Sequence, residues 1–145
     1  MAESPDPIEL ATRALRHHDR SRRELDERLE RAGIAEDSRA EALDELERLG
    51  YLDDTRLARQ RASSLADRGY GDEAIRERLA GQGVAAEVVD DAVALLEPES
   101  ERAAKLVASL GATAGTAGRL RRKGFGEDAV EHALAGGFAA GGPEA

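Results

Sequence analysis

Two adjacent carboxylates, Asp53 and Asp54, are the first candidates for chemistry in this 145-residue chain. Paired carboxylates can hold a metal ion or share acid and base roles, but the surrounding residues do not match a calcium loop, and successive side chains point in different directions. The apolar residues Tyr51 and Leu52 precede them, where a helix is predicted to begin. Because aspartate accepts hydrogen bonds from the free N–H groups at a helix start, capping is the favoured role.

The other reactive residue types give no stronger signal for catalysis. His17 and His18 lie at a predicted helix end, where a charged imidazole suits the helix dipole, and His132 is isolated. Gly69-x-Gly71 lacks the preceding strand and the third glycine of a dinucleotide-binding fingerprint. The chain contains no cysteine, which excludes thiolate metal sites and disulfides. The sequence therefore predicts a non-enzymatic protein without metal or cofactor.

Clusters of basic residues are the remaining candidates for a binding site. Those in the first two thirds of the chain alternate with acidic residues at helical spacing, which is typical of a solvated, ion-paired surface. The last cluster, residues 119–123, has no acidic residue before Glu127 and is the best candidate for a phosphate contact. We predict contacts with a protein partner or DNA at seven positions: Arg59, Arg68, Arg76, Arg119, Arg121, Arg122 and Lys123.

The overall charge favours a protein partner over nonspecific binding to nucleic acid. The net charge is −9, and the acidic excess lies before residue 99, since residues 99–145 contain equal numbers of acidic and basic side chains. The N-terminus lacks the charged and apolar regions of a signal peptide, and no apolar run reaches the roughly 20 residues of a membrane span. We expect a cytoplasmic monomer with no membrane contact.

Helix start and stop signals divide the chain into many short helices. Three starts carry a capping signal: Asp6-Pro7, Ser21-x-x-Glu24 and Ser38-x-x-Glu41. Apolar periodicity predicts further helices over about 54–68, 72–82 and 86–96, and again from Ser100. The segment Gly111–Gly118 contains three glycines, which predicts a loose hinge.

A repeated pattern organises these helices. Leu-x-x-x-Gly-apolar begins at Leu29, Leu79 and Leu120, and an alanine stands nine residues after each glycine. The repeat predicts an all-α fold of three tandem three-helix modules that form an elongated, curved array. The predicted divisions are a flexible tail at 1–6, modules at 7–52, 53–97 and 98–136, and a disordered tail at 137–145.

The segment from Gly50 to Gly83 resembles the signature of the RecX family of bacterial recombination regulators. The resemblance lies in helix caps, turns and core positions: Tyr51, Leu52, Asp53, Asp54, Ala58, Gly69, Gly71, Ile75, Leu79 and Gly83. Two features depart from the family pattern. Leu57 replaces a common phenylalanine, and Asp72-Glu73 stands where relatives often have basic residues, which weakens the prediction of a DNA contact at that turn.

The resemblance implies a modulator of DNA repair, homologous recombination and the SOS response. Such a protein binds in the groove of the RecA filament on single-stranded DNA and inhibits ATP hydrolysis, strand exchange and co-protease activity. The residues leave two alternatives open, a generic helical scaffold and a helical DNA-binding regulator that acts without RecA. The second is weaker because the helices that follow the turns begin with acidic residues. Direct DNA contact stays open.

Overall fold

The computed structural model describes residues 5–140, and the side chains of residues 5–136. In this range the chain forms nine α-helices and no strand, which confirms the predicted all-α class. The helices are α1 Pro7–His17, α2 Arg22–Arg31, α3 Glu36–Arg48, α4 Asp54–Asp67, α5 Asp72–Gly81, α6 Ala86–Ala94, α7 Glu99–Leu110, α8 Ala114–Arg122 and α9 Glu127–Ala140. None of these helices has the length and apolar character needed to cross a membrane.

The helices pack in three consecutive triplets, which we call modules one (α1–α3), two (α4–α6) and three (α7–α9). Within the described residues, the extensive helix contacts join members of the same triplet. Each triplet also has its own apolar core, built mainly from Leu, Val, Ile and Ala. Helices this short are marginal alone in water, so packing within the triplet stabilises them.

The Leu-x-x-x-Gly-apolar repeat closes the second helix of each module. The leucine carbonyl accepts the N–H of the apolar residue five positions later, and the intervening glycine has a positive φ. The three hydrogen bonds are Ile34 to Leu29 at 3.2 Å, Val84 to Leu79 at 3.2 Å and Phe125 to Leu120 at 3.0 Å. This closure fixes the turn and buries both apolar side chains in the module core.

Local details differ from the prediction in two helix starts. The capping box at Ser38 is wrong, because α3 begins at Glu36 and Ala35 is the N-cap. The turn that follows Gly33 leads directly into α3, so Ser38 already lies inside the helix. The glycine-rich stretch is mostly helical as well, since the Thr113 hydroxyl accepts the N–H of Thr116 at 3.1 Å and caps α8. Only residues 111–113 connect α7 to α8.

The predicted tails are tested only in part. The backbone of α9 continues to Ala140, so residues 137–140 are helical where disorder was expected. Alanine has the highest helix propensity, and no proline stands between Pro98 and Pro143, which allows the helix to continue through two glycines. Residues 1–4 and 141–145 of the predicted tails lie outside the described residues.

Candidate partner-binding site at the joint of modules two and three

The two adjacent carboxylates have structural partners. Asp53 caps α4, where its carboxylate accepts the N–H of Arg56 at 3.0 Å. Asp54 accepts the backbone N–H of Arg22 at 2.9 Å and so connects module two to module one. Burial raises the pKa of Asp54, against the opposing effect of that hydrogen bond. Both side chains therefore bond backbone N–H groups.

The remaining motif residues form the core and the turns of this region. Leu52, Ala58, Ile75 and Leu79 are buried, whereas Tyr51 is 61% exposed. The turn glycines are needed because their φ is positive, whereas Gly71 is needed because it has no side chain. There the backbones of two modules meet, and a Cβ atom would lie 2.4 Å from the carbonyl carbon of Gly124.

The start of α5 is bonded to the end of α8. The N–H of Gly71 donates to the carbonyl of Lys123 at 2.8 Å, and the N–H of Glu73 donates to the carbonyl of Gly124 at 3.3 Å. The two N–H donors lie at the start of α5 and the two carbonyl acceptors at the end of α8, where backbone groups have no hydrogen-bond partner within their own helix. The joint between modules two and three therefore satisfies both helix ends together.

A buried arginine reinforces this joint. Arg102 on α7 is 8% exposed, donates to the carbonyls of Glu97 at 2.8 Å and Tyr70 at 2.9 Å, and forms an ion pair with Asp72. The sequence motifs did not single out this arginine. Arg102 stands four residues before Leu106, on the helix face that was predicted to be apolar, and that position is the signal that could have identified it.

Glu99 forms a second bridge across the same joint. One carboxylate oxygen accepts the N–H of Asp72 at 2.6 Å, and the other accepts the N–H of Gly126 at 2.8 Å. The N–H of Asp72 lies in the first turn of α5, and the N–H of Gly126 directly precedes α9. A negative charge is favourable at the start of a helix. The carboxylate thus holds the starts of α5 and α9 at a fixed separation.

Cations surround an aromatic ring beside this joint. The Tyr70 ring centre lies 4.1 Å from the ammonium of Lys123, 4.2 Å from the guanidinium of Arg78 and 5.6 Å from that of Arg68. Arg78 also donates to the Tyr70 hydroxyl at 3.0 Å. The charges of Arg78 and Lys123 lower the pKa of Tyr70. We call these four residues the Tyr70 cluster.

The structure separates the seven basic residues that the sequence singled out. Arg68 and Lys123 meet in the Tyr70 cluster, together with Arg78, which was not among the seven. Arg119 and Arg122 lie on the same helix as Lys123 and are exposed.

The other three lie outside this group. Arg121 pairs at 2.7 Å with Glu127, the first acidic residue after the last cluster. Arg76 pairs with Asp90 at 3.3 Å, and Arg59 is exposed on α4. Of the seven predicted contacts, Arg76 and Arg121 are thus the ones that pair with a carboxylate among the described side chains.

In the joint between modules one and two, the start of one helix is again bonded to the end of another. Ser21 caps α2, and its hydroxyl donates to the carbonyl of Gln82 at the end of α5, at 2.6 Å. Glu24 accepts the N–H of Ser21 at 2.8 Å and a hydrogen bond from Arg61 at 3.0 Å. Burial raises the pKa of Glu24, but the bonds from Ser21 and Arg61 outweigh it and hold the pKa below its ordinary value.

A shallow cleft also lies between modules two and three. It has a volume of about 420 Å³ and is lined by Leu95, Leu106, Phe125 and Arg102, among others. Of its charged side chains, Arg102 belongs to the joint, and Lys105 pairs with Glu97. Among residues 5–136 no group of three or more His, Asp or Glu side chains could hold a metal ion.

Comparisons with known proteins give a sequence match to module two and structural matches that cover most of the chain. Residues 53–93 match the family model described as RecX, second three-helix domain. The crystal structure of RecX from Lactobacillus salivarius is 20% identical, covers 90% of this chain and 93% of that chain, and has a TM-score of 0.79. A second crystal structure, of the regulatory protein RecX, is 20% identical, covers 95% of this chain and 66% of that chain, and has a TM-score of 0.64. No curated protein sequence matches.

These findings agree on one family from two directions. At 20% identity the solved structures show the fold, which extends over nearly the whole chain. The family model adds a sequence match over module two, the part of the chain that carries the Tyr-Leu-Asp-Asp and Gly-x-Gly motifs. Module two thus has the sequence signature of the second three-helix domain of RecX, and the chain around it has the fold of the solved RecX structures.

Proposed function

We propose that this protein regulates the RecA recombinase by binding the RecA filament on single-stranded DNA and inhibiting its ATPase, strand-exchange and co-protease activities. The observation that carries the proposal is the match of module two to the second RecX domain inside a RecX fold. The protein acts without chemistry of its own, as a cytoplasmic monomer. Its effect comes from occupying a surface that neighbouring RecA subunits use.

The modular construction supports this kind of binding. Each module has its own core, and hydrogen bonds at the joints hold neighbouring modules together. Linked contacts of modest strength give high overall affinity when their spacing matches that of the partner. A filament repeats its subunits at a fixed interval, so a chain of jointed modules suits it.

A titration of the single-strand-dependent ATPase of the cognate RecA tests the proposal. We expect turnover to fall as the protein is added to preformed filaments, at or below one protein per RecA subunit. Ile75→Asp, which places a charge in the core of module two, serves as a control because its loss of fold should abolish the effect. Unchanged turnover, together with no cosedimentation with filaments, would contradict the proposal.

A further inference from the structure

We propose that five cations across the joint of modules two and three form a binding site for the sugar–phosphate backbone of nucleic acid, without base preference. The site, which we call the basic stripe, consists of Arg119, Arg122, Lys123, Arg78 and Arg68. It goes beyond the proposed regulation of RecA, because the contact needs no recombinase. The two proposals can therefore fail separately.

The stripe is continuous from one module to the next. Arg119, Arg122 and Lys123 stand at positions i, i+3 and i+4 of α8 and its C-cap, so they share one side of the helix. The Lys123 ammonium lies over the Tyr70 ring, and the ring also contacts Arg78 and Arg68 from module two. Tyr70 thus joins the cations of α8 to those of α4 and α5.

The five charges are available to an anion. Within residues 5–136, none of the five forms an ion pair with a carboxylate, whereas the neighbouring Arg76 and Arg121 both do. Four of the five are exposed, and Lys123 is half-buried. An incoming phosphate would therefore meet these cations without first displacing a carboxylate from them, and guanidinium groups bind phosphate oxygens in a bidentate geometry.

The geometry favours contact with phosphate over base stacking. Nucleobases stack on open aromatic faces in many single-strand-binding proteins. Here two cations lie 4.1 and 4.2 Å from the Tyr70 ring centre, at distances that a stacked base would need. The ring therefore organises the cations, and the site reads charge rather than base identity.

A polyanion also suits the stripe better than a single carboxylate does. Four residues advance about 6 Å along a helix, so Arg119 and Lys123 can contact different charges of one ligand. The acidic excess of the chain lies in residues 1–98, and like charge disfavours a polyanion on the acidic surface of that part away from the stripe. We therefore favour a nucleic-acid backbone over an acidic peptide, which the experiment also tests.

The experiment measures fluorescence anisotropy of a labelled oligothymidylate with the purified protein, without RecA, over a series of salt concentrations. Five phosphate contacts on a single strand predict a slope of about −3.5 in a plot of log affinity against log salt. We expect the double variant Arg119→Gln, Arg122→Gln to bind about 20-fold more weakly at 0.1 M salt and to flatten the slope by about 1.4. Both residues are exposed, so circular dichroism should show an unchanged fold.

The chain offers a matched control with the same change in net charge. Arg13→Gln with Arg48→Gln removes two exposed arginines that already pair with Glu9 and Glu45. We expect this variant to keep the wild-type slope and to lose less than about threefold in affinity. Equal binding of oligothymidylate and a mixed-sequence strand would support backbone recognition.

Three results would overturn the proposal. One is a double variant at Arg119 and Arg122 that binds as the wild type does. Another is equal weakening by the control variant, which would show that net charge alone governs binding. The last is tight, stripe-dependent binding of polyglutamate when oligothymidylate does not bind, which would assign the surface to an acidic protein segment. Inhibition of RecA turnover is measured separately and decides none of these.

Discussion

Replacing Gly71 by alanine should separate modules two and three without changing any charge. A Cβ atom at this position would lie 2.4 Å from the carbonyl carbon of Gly124 and 2.4 Å from the backbone nitrogen of Phe125. Both are main-chain atoms, so no side-chain rotation can relieve the overlap. The φ of Gly71 is −83°, which alanine adopts readily, and the effect therefore arises from the contact alone.

The size of the effect follows from what the methyl group displaces. To reach ordinary contact distance the two backbones must move apart by more than 1 Å, which breaks the hydrogen bonds Gly71 to Lys123 and Glu73 to Gly124. Each such bond contributes about 1 kcal/mol net, and overpacking of a close contact costs about 1–3 kcal/mol. We expect a loss of about 3 kcal/mol in the coupling between the modules.

Gly81 provides the matched control in the same helix. A Cβ atom on Gly81 meets nothing within 4 Å, so Gly81→Ala should leave stability unchanged or raise it by up to about 1 kcal/mol. Urea unfolding followed by circular dichroism compares the two variants, and Gly71→Ala should also split the transition as module three uncouples. A difference below about 0.5 kcal/mol between them would refute the role assigned to the joint.

Two further substitutions test the two joints. Arg102→Met should lower the free energy of unfolding by about 2–3 kcal/mol, because Asp72 loses its ion-pair partner and the Tyr70 carbonyl loses a hydrogen-bond donor. If Arg102→Lys destabilises the protein as much, the forked geometry of the guanidinium, and not its charge alone, is needed. Glu24 has a lowered pKa in the folded state, so its contribution is present above the ordinary value of 4.5 and is lost as pH falls through the folded-state pKa. Stability measured from pH 6 to pH 3 should therefore fall less steeply in Glu24→Gln than in the wild type, and parallel curves would contradict the role given to Glu24.

Local sequence signals predicted most of the helices because each signal acts within one turn. The Asp6 and Ser21 caps and the three leucine repeats bond residues that are two to five positions apart. The capping box at Ser38 failed because a competing local signal, the turn at Gly33, starts the helix earlier.

The candidate binding surface was harder to predict because it depends on contacts between modules. Lys123 joins Tyr70 only because α8 ends against the start of α5, and Arg102 reaches Asp72 across 30 positions. It is equally hard to predict from the sequence which arginines pair with a carboxylate. Arg121 and Arg122 are indistinguishable in the sequence, yet Glu127 neutralises the first and leaves the second free of a carboxylate within the described side chains.

The second helices of the three modules are bonded end to end. The end of α8 accepts hydrogen bonds from the start of α5, and the end of α5 accepts them from the start of α2. The negative end of one helix dipole therefore meets the positive end of the next, in the reverse of the order of the modules along the chain. Because hydrogen bonds that water can replace form much of each joint, we expect limited bending there to expose little apolar surface and so not to favour aggregation.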